Sequence, residues 1–313
     1  MSKGGKVIKY SSVLKQYLKL FNEFCREPFN KSKSHFTRIM GFTYALGRQF
    51  FDAFESSCDG DVGTAPSVMA DAVSQLIDAD IRGLGTHIFI KDRALYEALK
   101  KIKVKDVEGV KQFMRDNAET FRFMHSVEDK DSHESIREDF YEQKCMFYFI
   151  HFPVETEDEE GLAVRLRLDG EELVCDYVCG EHIATFSSES KYIKNPSNDF
   201  DKMDQKLWYL FLNVFFYMKA YPECVVDGVP KGFRFEYPSV AKKVRLELSD
   251  KIVEKVSNGV SHVVTPHFRR GHFRYLRSEY FKNKQGEFIF IEETLVKANN
   301  AKTLNTLESD NID

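Results

Sequence analysis

The stretch Asp204–Tyr221, DQKLWYLFLNVFFYMKAY, constrains the fold more than any other part of this chain. Read as a helix it is apolar on nearly every face, so it must be covered all round and packed against a sheet. Pro222 ends it. It is too short to span a bilayer and carries Asn213, and no other apolar run reaches 18 residues. With no signal peptide in view, the expectation is a cytoplasmic protein with reduced thiols and no membrane partner.

The sheet that this helix needs is written around it. Lys144–Phe152 (KCMFYFIHF) is a continuous apolar and aromatic run, the pattern of a buried strand. Leu162–Leu168 alternates, with Val164, Leu166 and Leu168 on one face and Arg165 and Arg167 on the other. Asp169-Gly170 is a hairpin turn, Leu173–Val178 returns, Gly180 turns again and Ile183–Phe186 makes a third strand, a meander. Phe288–Glu292 (FIFIE) is a further strand. The N-terminal residues read differently. Val7–Cys25, Ser34–Phe54, Ser67–Asp80, Arg93–Lys101 (N-capped by Asp92) and Asp106–Asn117 carry helical periodicity. The predicted fold is α+β: a helical N-terminal part, then an antiparallel sheet packed on a long buried helix. The divisions expected are a helical region at 1–127, an acidic linker at 128–140, an α+β domain at 141–298 and a mobile acidic tail at 299–313.

Charge is segregated along the chain. The net charge is −4, so the chain as a whole is no polycation. Residues 128–139 hold six acids against two bases, and 155–160 hold five acids and no base. Residues 265–285 reverse this, with six Lys/Arg against one acid, Glu279. Within them, Thr265-Pro-His-Phe-Arg-Arg-Gly-His-Phe-Arg-Tyr275 gathers His267, Arg269, Arg270, His272, Arg274 and Tyr275, with Arg277 just beyond. Guanidiniums and imidazoles this close repel one another, and their natural counter-charge is phosphate. The expectation is an RNA-binding site made of His267, Arg269, Arg270, His272, Phe273, Arg274, Tyr275 and Arg277, with Phe273 and Tyr275 available for base stacking. Arg165, Arg167, Lys242, Lys243 and Arg245 would extend the basic surface. Pro266 and Gly271 favour a strand or bulged strand here over a helix.

Two histidines among arginines also suit metal-independent RNA cleavage. One imidazole takes the 2′-hydroxyl proton, the other protonates the leaving oxygen, and an arginine neutralises the phosphorane. His267 and His272 are the candidates for those roles. A third reading is a protein-interaction inhibitor, its acidic segments mimicking nucleic acid. His151, in an apolar strand, reads as a hydrogen-bonded core residue; His35, His87, His125 and His133 show no partner pattern. Cys175 and Cys179 lack a second ligand pair, so neither a metal nor a cofactor is expected.

The order of strand, buried helix Leu207–Pro222, Asp227–Pro230 turn, Pro266–Arg274 motif and closing strand Phe288–Val296 resembles the C-terminal half of a widespread phage and plasmid protein family. Its known member is an anti-CRISPR of a type V effector that causes loss of the effector's messenger RNA. The resemblance spans about 140 to 298. It departs at Phe273, where members carry Trp, and at Tyr280–Gly286, where they carry an aromatic-Gly step. It implies a mobile-element protein in a bacterial host cell, acting at RNA or at translating complexes, and for the third reading an inhibitor of host defence.

Overall fold

The buried helix is present as predicted. In the computed structural model, α7 (Asp199–Ala220) buries Trp208 and every residue from Leu210 to Tyr217. Asn198 caps its start, the side-chain oxygen accepting from the Asp201 N–H at 2.8 Å. Asn213 is tolerated at full burial because its Nδ2 donates to the carbonyls of Leu99 (2.8 Å) and Ile102 (3.0 Å), at the C-terminal end of a neighbouring helix. The structure describes residues 9–57, 65–102, 107–128, 136–154, 160–190, 194–235, 239–248, 268–269, 272–291 and 294–295. Among these, no helix is long and apolar enough to cross a membrane.

The fold is α+β. Six further helices are described: α1 (Lys15–Arg26), α2 (Pro28–Lys31), α3 (His35–Ser57), α4 (Ala65–Arg82), α5 (Arg93–Lys101) and α6 (Val107–Asn117). The strands of the main sheet are β2 (Gly85–Ile90), β3 (Glu119–Glu128), β4 (Ile136–His151), β6 (Leu162–Asp169), β7 (Glu172–Cys179), β8 (His182–Ser187), β9 (Val225–Asp227) and β10 (Lys242–Leu246). Their order is β8-β7-β6-β4-β2-β10-β9, with β3 pairing the first part of β4. The β6–β7–β8 meander is antiparallel as expected, and its turns hold Gly170 and Gly180 at positive φ. The centre is not antiparallel: β2 runs parallel to both β4 and β10. Two short strands, β1 (Lys9–Tyr10) and β5 (Pro153–Val154), pair beside the sheet.

Both faces of the sheet are covered. One face places Ile88, Ile150, Val164, Cys175 and Val244 in a core with α5, α6 and α7. The other packs Phe147, Phe149, Ala163, Val178 and Ile183 under α1, α3 and α4. Closeness at the centre explains one glycine: a Cβ on Gly85 would lie 2.5 Å from the Phe149 ring.

Three expectations are corrected. The N-terminal region is not a separate helical unit, because β2 lies between β4 and β10 and carries buried residues on both sides. The helix expected from Val7 begins only at Lys15, after β1. The described ends of the expected acidic linker are strand: Glu128 ends β3 and Ile136 opens β4, in one continuous antiparallel register from Glu119↔Cys145 to Glu128↔Ile136. Residues 129–135 and the tail 299–313 lie outside the described residues.

Candidate functional site

The described parts of the basic motif, Phe268–Arg269 and His272–Tyr275, are strands, as Pro266 and Gly271 suggested. β11 (Phe268–Arg269) pairs β14 (Thr294–Leu295), and β12 (His272–Tyr275) pairs β13 (Phe288–Ile291), both antiparallel. The registers agree. Arg269 faces Thr294 and His272 faces Ile291, leaving two residues between the pairs on each strand. His267, Arg270 and Gly271 lie outside the described residues, and Arg269 is placed by its backbone in β11.

Alternation in β12 sorts the motif in a way the composition did not reveal. Phe273 and Tyr275 are buried, Phe273 at 1% exposure, against α7 and α6. The Phe273 ring lies 5.5 Å from Phe216, and Phe288 lies 5.0 Å from Phe216 and 5.9 Å from Phe113. The Tyr275 hydroxyl donates to Asp116 at 3.4 Å, and burial and that carboxylate push its pKa up. Neither ring is open to a base, which overturns their expected stacking role. The reason is that α7 is so apolar that the aromatic side of the strand completes its cover. His272 is half-buried, while Arg274 and Arg277 point to solvent. No carboxylate pairs with Arg274 among the described residues.

Beyond β12 the chain makes a folded loop, residues 276–287. Leu276 and Glu287 close its base, the Ser278 hydroxyl accepts from the Tyr280 N–H at 3.2 Å, and Gln285 donates to the Arg277 carbonyl at 3.1 Å. Gly286, at φ +84°, makes the turn into β13. This loop holds Tyr280 at 87% exposure, with Arg277, Lys282 and Lys284 also exposed. The sequence reading passed over Tyr280, though an aromatic inside a basic run is a signal that could have found it. Nearby, Lys219 at the end of α7 sits 4.5 Å above the Phe113 ring; burial and then Lys242 lower its pKa.

The expected secondary basic surface is mostly internal. Arg165 is 3% exposed, its Nε donating to Asp176 at 2.7 Å and its Nη1 to Gln75 of α4. Arg167 donates to the same carboxylate at 3.2 Å. Burial would raise the pKa of Asp176, but the two guanidiniums outweigh it and hold the carboxyl below its usual range. These arginines were expected outside because their strand alternates; α4 covers that face instead. Lys243 donates to the Ser239 carbonyl at 2.6 Å and Arg245 to the Val229 carbonyl at 3.4 Å, so both tie down a loop. Lys242 stays exposed, 3.9 Å from Asp227.

A second cluster was not expected. The sheet register sets His87 of β2 opposite Phe149 and His151 of β4 opposite Phe89, so the two imidazoles meet on a diagonal. His151 is the hydrogen-bonded core residue predicted for it; His87 is its partner, 2.9 Å from Nδ1 to Nε2. Their tautomers follow from the acceptors. The Ser11 carbonyl can only accept, so His151 Nδ1 donates to it at 2.9 Å. Burial, then His87, lowers the His151 pKa to about 3, so its Nε2 carries no proton and accepts from His87 Nδ1–H. His87 Nε2 then faces Asp80 Oδ1 at 2.9 Å and Ser239 Oγ at 3.0 Å, and those two oxygens are 2.5 Å apart. Within that triangle the Ser239 hydroxyl donates to Asp80, and its oxygen accepts from the Ala241 N–H at 3.3 Å. Elsewhere, His35 pairs with Asp78 at 2.9 Å and His182 with Asp204 at 2.7 Å, which corrects the reading of His35 and His87 as partnerless.

The thiols of Cys145 and Cys179 are pushed up to about 12 and about 11 by burial, and that of Cys175 well above its usual value. No group of three or more His, Cys, Asp or Glu that could hold a metal ion is found among the described residues. No protein-family model matches this chain, and no curated protein and no solved structure matches it.

Proposed function

We propose that the chain binds RNA, with messenger RNA as its target and a phage or other mobile element as its setting. The binding surface is the outer side of β12 and the loop that follows. Arg274, Arg277, Lys282 and Lys284 hold phosphates and Tyr280 stacks on a base. One observation carries this reading: the loop is tied by its own hydrogen bonds, yet it holds a fully presented aromatic ring among exposed cations. A tyrosine whose only task were packing would be covered, as Tyr275 is. The likeness of Pro266–Arg274 to the phage and plasmid family supports the setting.

The test is fluorescence anisotropy with a labelled single-stranded RNA across a salt series. Each phosphate contact removed lowers the log–log salt slope by about 0.7, so replacing all four cations by Ala should lower it by roughly 3. The RNA recovered from each titration is run on a denaturing gel, which reads out cleavage at the same time. An unchanged slope in a folded quadruple variant would remove this surface from the reading.

A further inference from the structure

The helix α3 turns Ile39, Phe42 and Leu46 into the core. At about 100° per residue, Tyr44, Arg48, Phe51 and Glu55 all fall within about 35° of the opposite direction. All four are exposed, Tyr44 at 65% and Phe51 at 45%, and Asp52 is exposed beside them. Two large rings about two turns apart on one outward line differ from the single apolar residues that dot most surfaces. The charges between them have no partner within the chain. Among the described residues, no ion pair and no side-chain hydrogen bond holds Arg48, Asp52 or Glu55. On the neighbouring helix α4, Arg82 does reach back to Asp78 at 2.9 Å, one turn before it. On α3 the order is reversed, arginine before aspartate, which is the poorer orientation for a pair four residues apart.

We infer that α3 docks against α3 of a second copy of this chain, antiparallel, about a two-fold axis between Gln49 and Phe50. Reversing the helix about that point sets Arg48 opposite the partner's Phe51 and Tyr44 opposite the partner's Glu55. The guanidinium then lies against an aromatic ring and beside the partner's Asp52, and the Tyr44 hydroxyl donates to a carboxylate. One register makes all of these contacts, and each occurs twice. An interface between identical copies needs a patch that matches itself. The face of α3 has that property: Tyr44 and Arg48, the donor and the cation, occupy its first half. Phe51, Asp52 and Glu55, the ring and the carboxylates, occupy its second. They meet only when one helix is reversed.

Burial of the aromatic rings supplies the attraction, and the charges set direction and register. The two carboxylates disfavour a phosphate-bearing partner on this face, nucleic acid and anionic lipid alike. The helix packs in the core on one side of the sheet, whereas Phe273 and Tyr275 of β12 pack in the core on the other. Pairing through α3 therefore leaves the loop 276–287 uncovered, and it does not depend on RNA binding.

Sedimentation-velocity ultracentrifugation of the full chain without RNA, from low to high micromolar concentration, tests this. The wild type should pass to the mass of two chains as concentration rises. Arg48→Asp and Asp52→Arg should each weaken the dimer by about tenfold or more, because each sets like charges face to face twice. Their combination exchanges the two charges and should return the dissociation constant to within about threefold of the wild type. Damage to the fold could not give that rescue. Tyr44→Ser with Phe51→Ser should be monomeric with an unchanged circular dichroism spectrum, since both rings are exposed. A wild type that is monomeric throughout overturns the proposal, and flotation of that monomer with lipid vesicles would assign the stripe to a membrane surface instead. A dimer that none of these substitutions weakens, or a charge exchange that rescues nothing, overturns it equally.

Discussion

Lowering the pH from 7 to 4 should destabilise this fold through His151 in particular. Burial, then His87, holds its folded pKa at about 3, against an unfolded value of 6.5. Between those values the unfolded chain binds a proton that the folded chain refuses, so stability is lost as pH falls through 6.5 toward 3. At pH 4 the unfolded imidazole is almost wholly protonated and the folded one almost wholly neutral. A pKa unit is worth about 1.4 kcal/mol, so the two and a half units between 6.5 and 4 come to about 3 kcal/mol. The cause is geometric: the ring lies flat against Phe89 at 4.3 Å, its Nδ1 is committed to the Ser11 carbonyl, and its Nε2 faces a donor. A second proton would turn that nitrogen into a donor aimed at a donor. Urea denaturation of the wild type and His151→Gln at pH 7, 6, 5 and 4 measures this. Glutamine cannot titrate, so the difference in unfolding free energy between the two should shrink by about 3 kcal/mol over the range. A constant difference would mean that His151 is protonated in the fold and that the tautomer chain is wrong.

The two aromatics of the basic segment should separate cleanly. Phe273→Ala should cost about 3–5 kcal/mol of stability in urea denaturation, because the ring is enclosed by Phe216 and Phe290. Tyr280→Ala should leave stability within about 0.5 kcal/mol and weaken RNA binding by about 1–3 kcal/mol in the anisotropy assay; the reverse pattern would exchange their roles. Arg165→Ala should cost about 3–5 kcal/mol by the same denaturation, since it strands the Asp176 carboxylate in the interior, whereas Arg167→Ala, at the rim of the pair, should cost less.

What was legible in the sequence was local. The apolar run of α7 admits one environment, and Asp169-Gly170 and Gly180 announce the meander, because turn chemistry needs no distant partner. The strand β2, GTHIFI, escaped because nothing local marks it. It follows the turn that ends α4 and precedes α5 by two residues, and its partner in parallel pairing lies some sixty residues on. Missing it hid the fact that the N-terminal helices roof the same sheet. That error propagated to the charges. Arg165 and Arg167 alternate as they would on a half-exposed strand, and only the roof of α4 turns them inward to Asp176. The companion carboxylate sits on the neighbouring strand, so the compensation cannot be seen along the chain.

The same lesson orders the two clusters. The parity of β12 was readable, with Phe273 and Tyr275 together and His272 and Arg274 opposite, but parity does not say which side meets the core. The unfinished cover of α7 decides that, and it moves the presented aromatic to Tyr280. For the histidines the sequence held a half-signal, one imidazole in each of two apolar strands. Only the register sets them on a diagonal, and only the loop before β10 adds Ser239. A basic run shows itself in composition because its charges must be solvated or matched by a ligand. A buried network balances its own charges among residues far apart in sequence, and for that reason it leaves almost no trace in the order of amino acids.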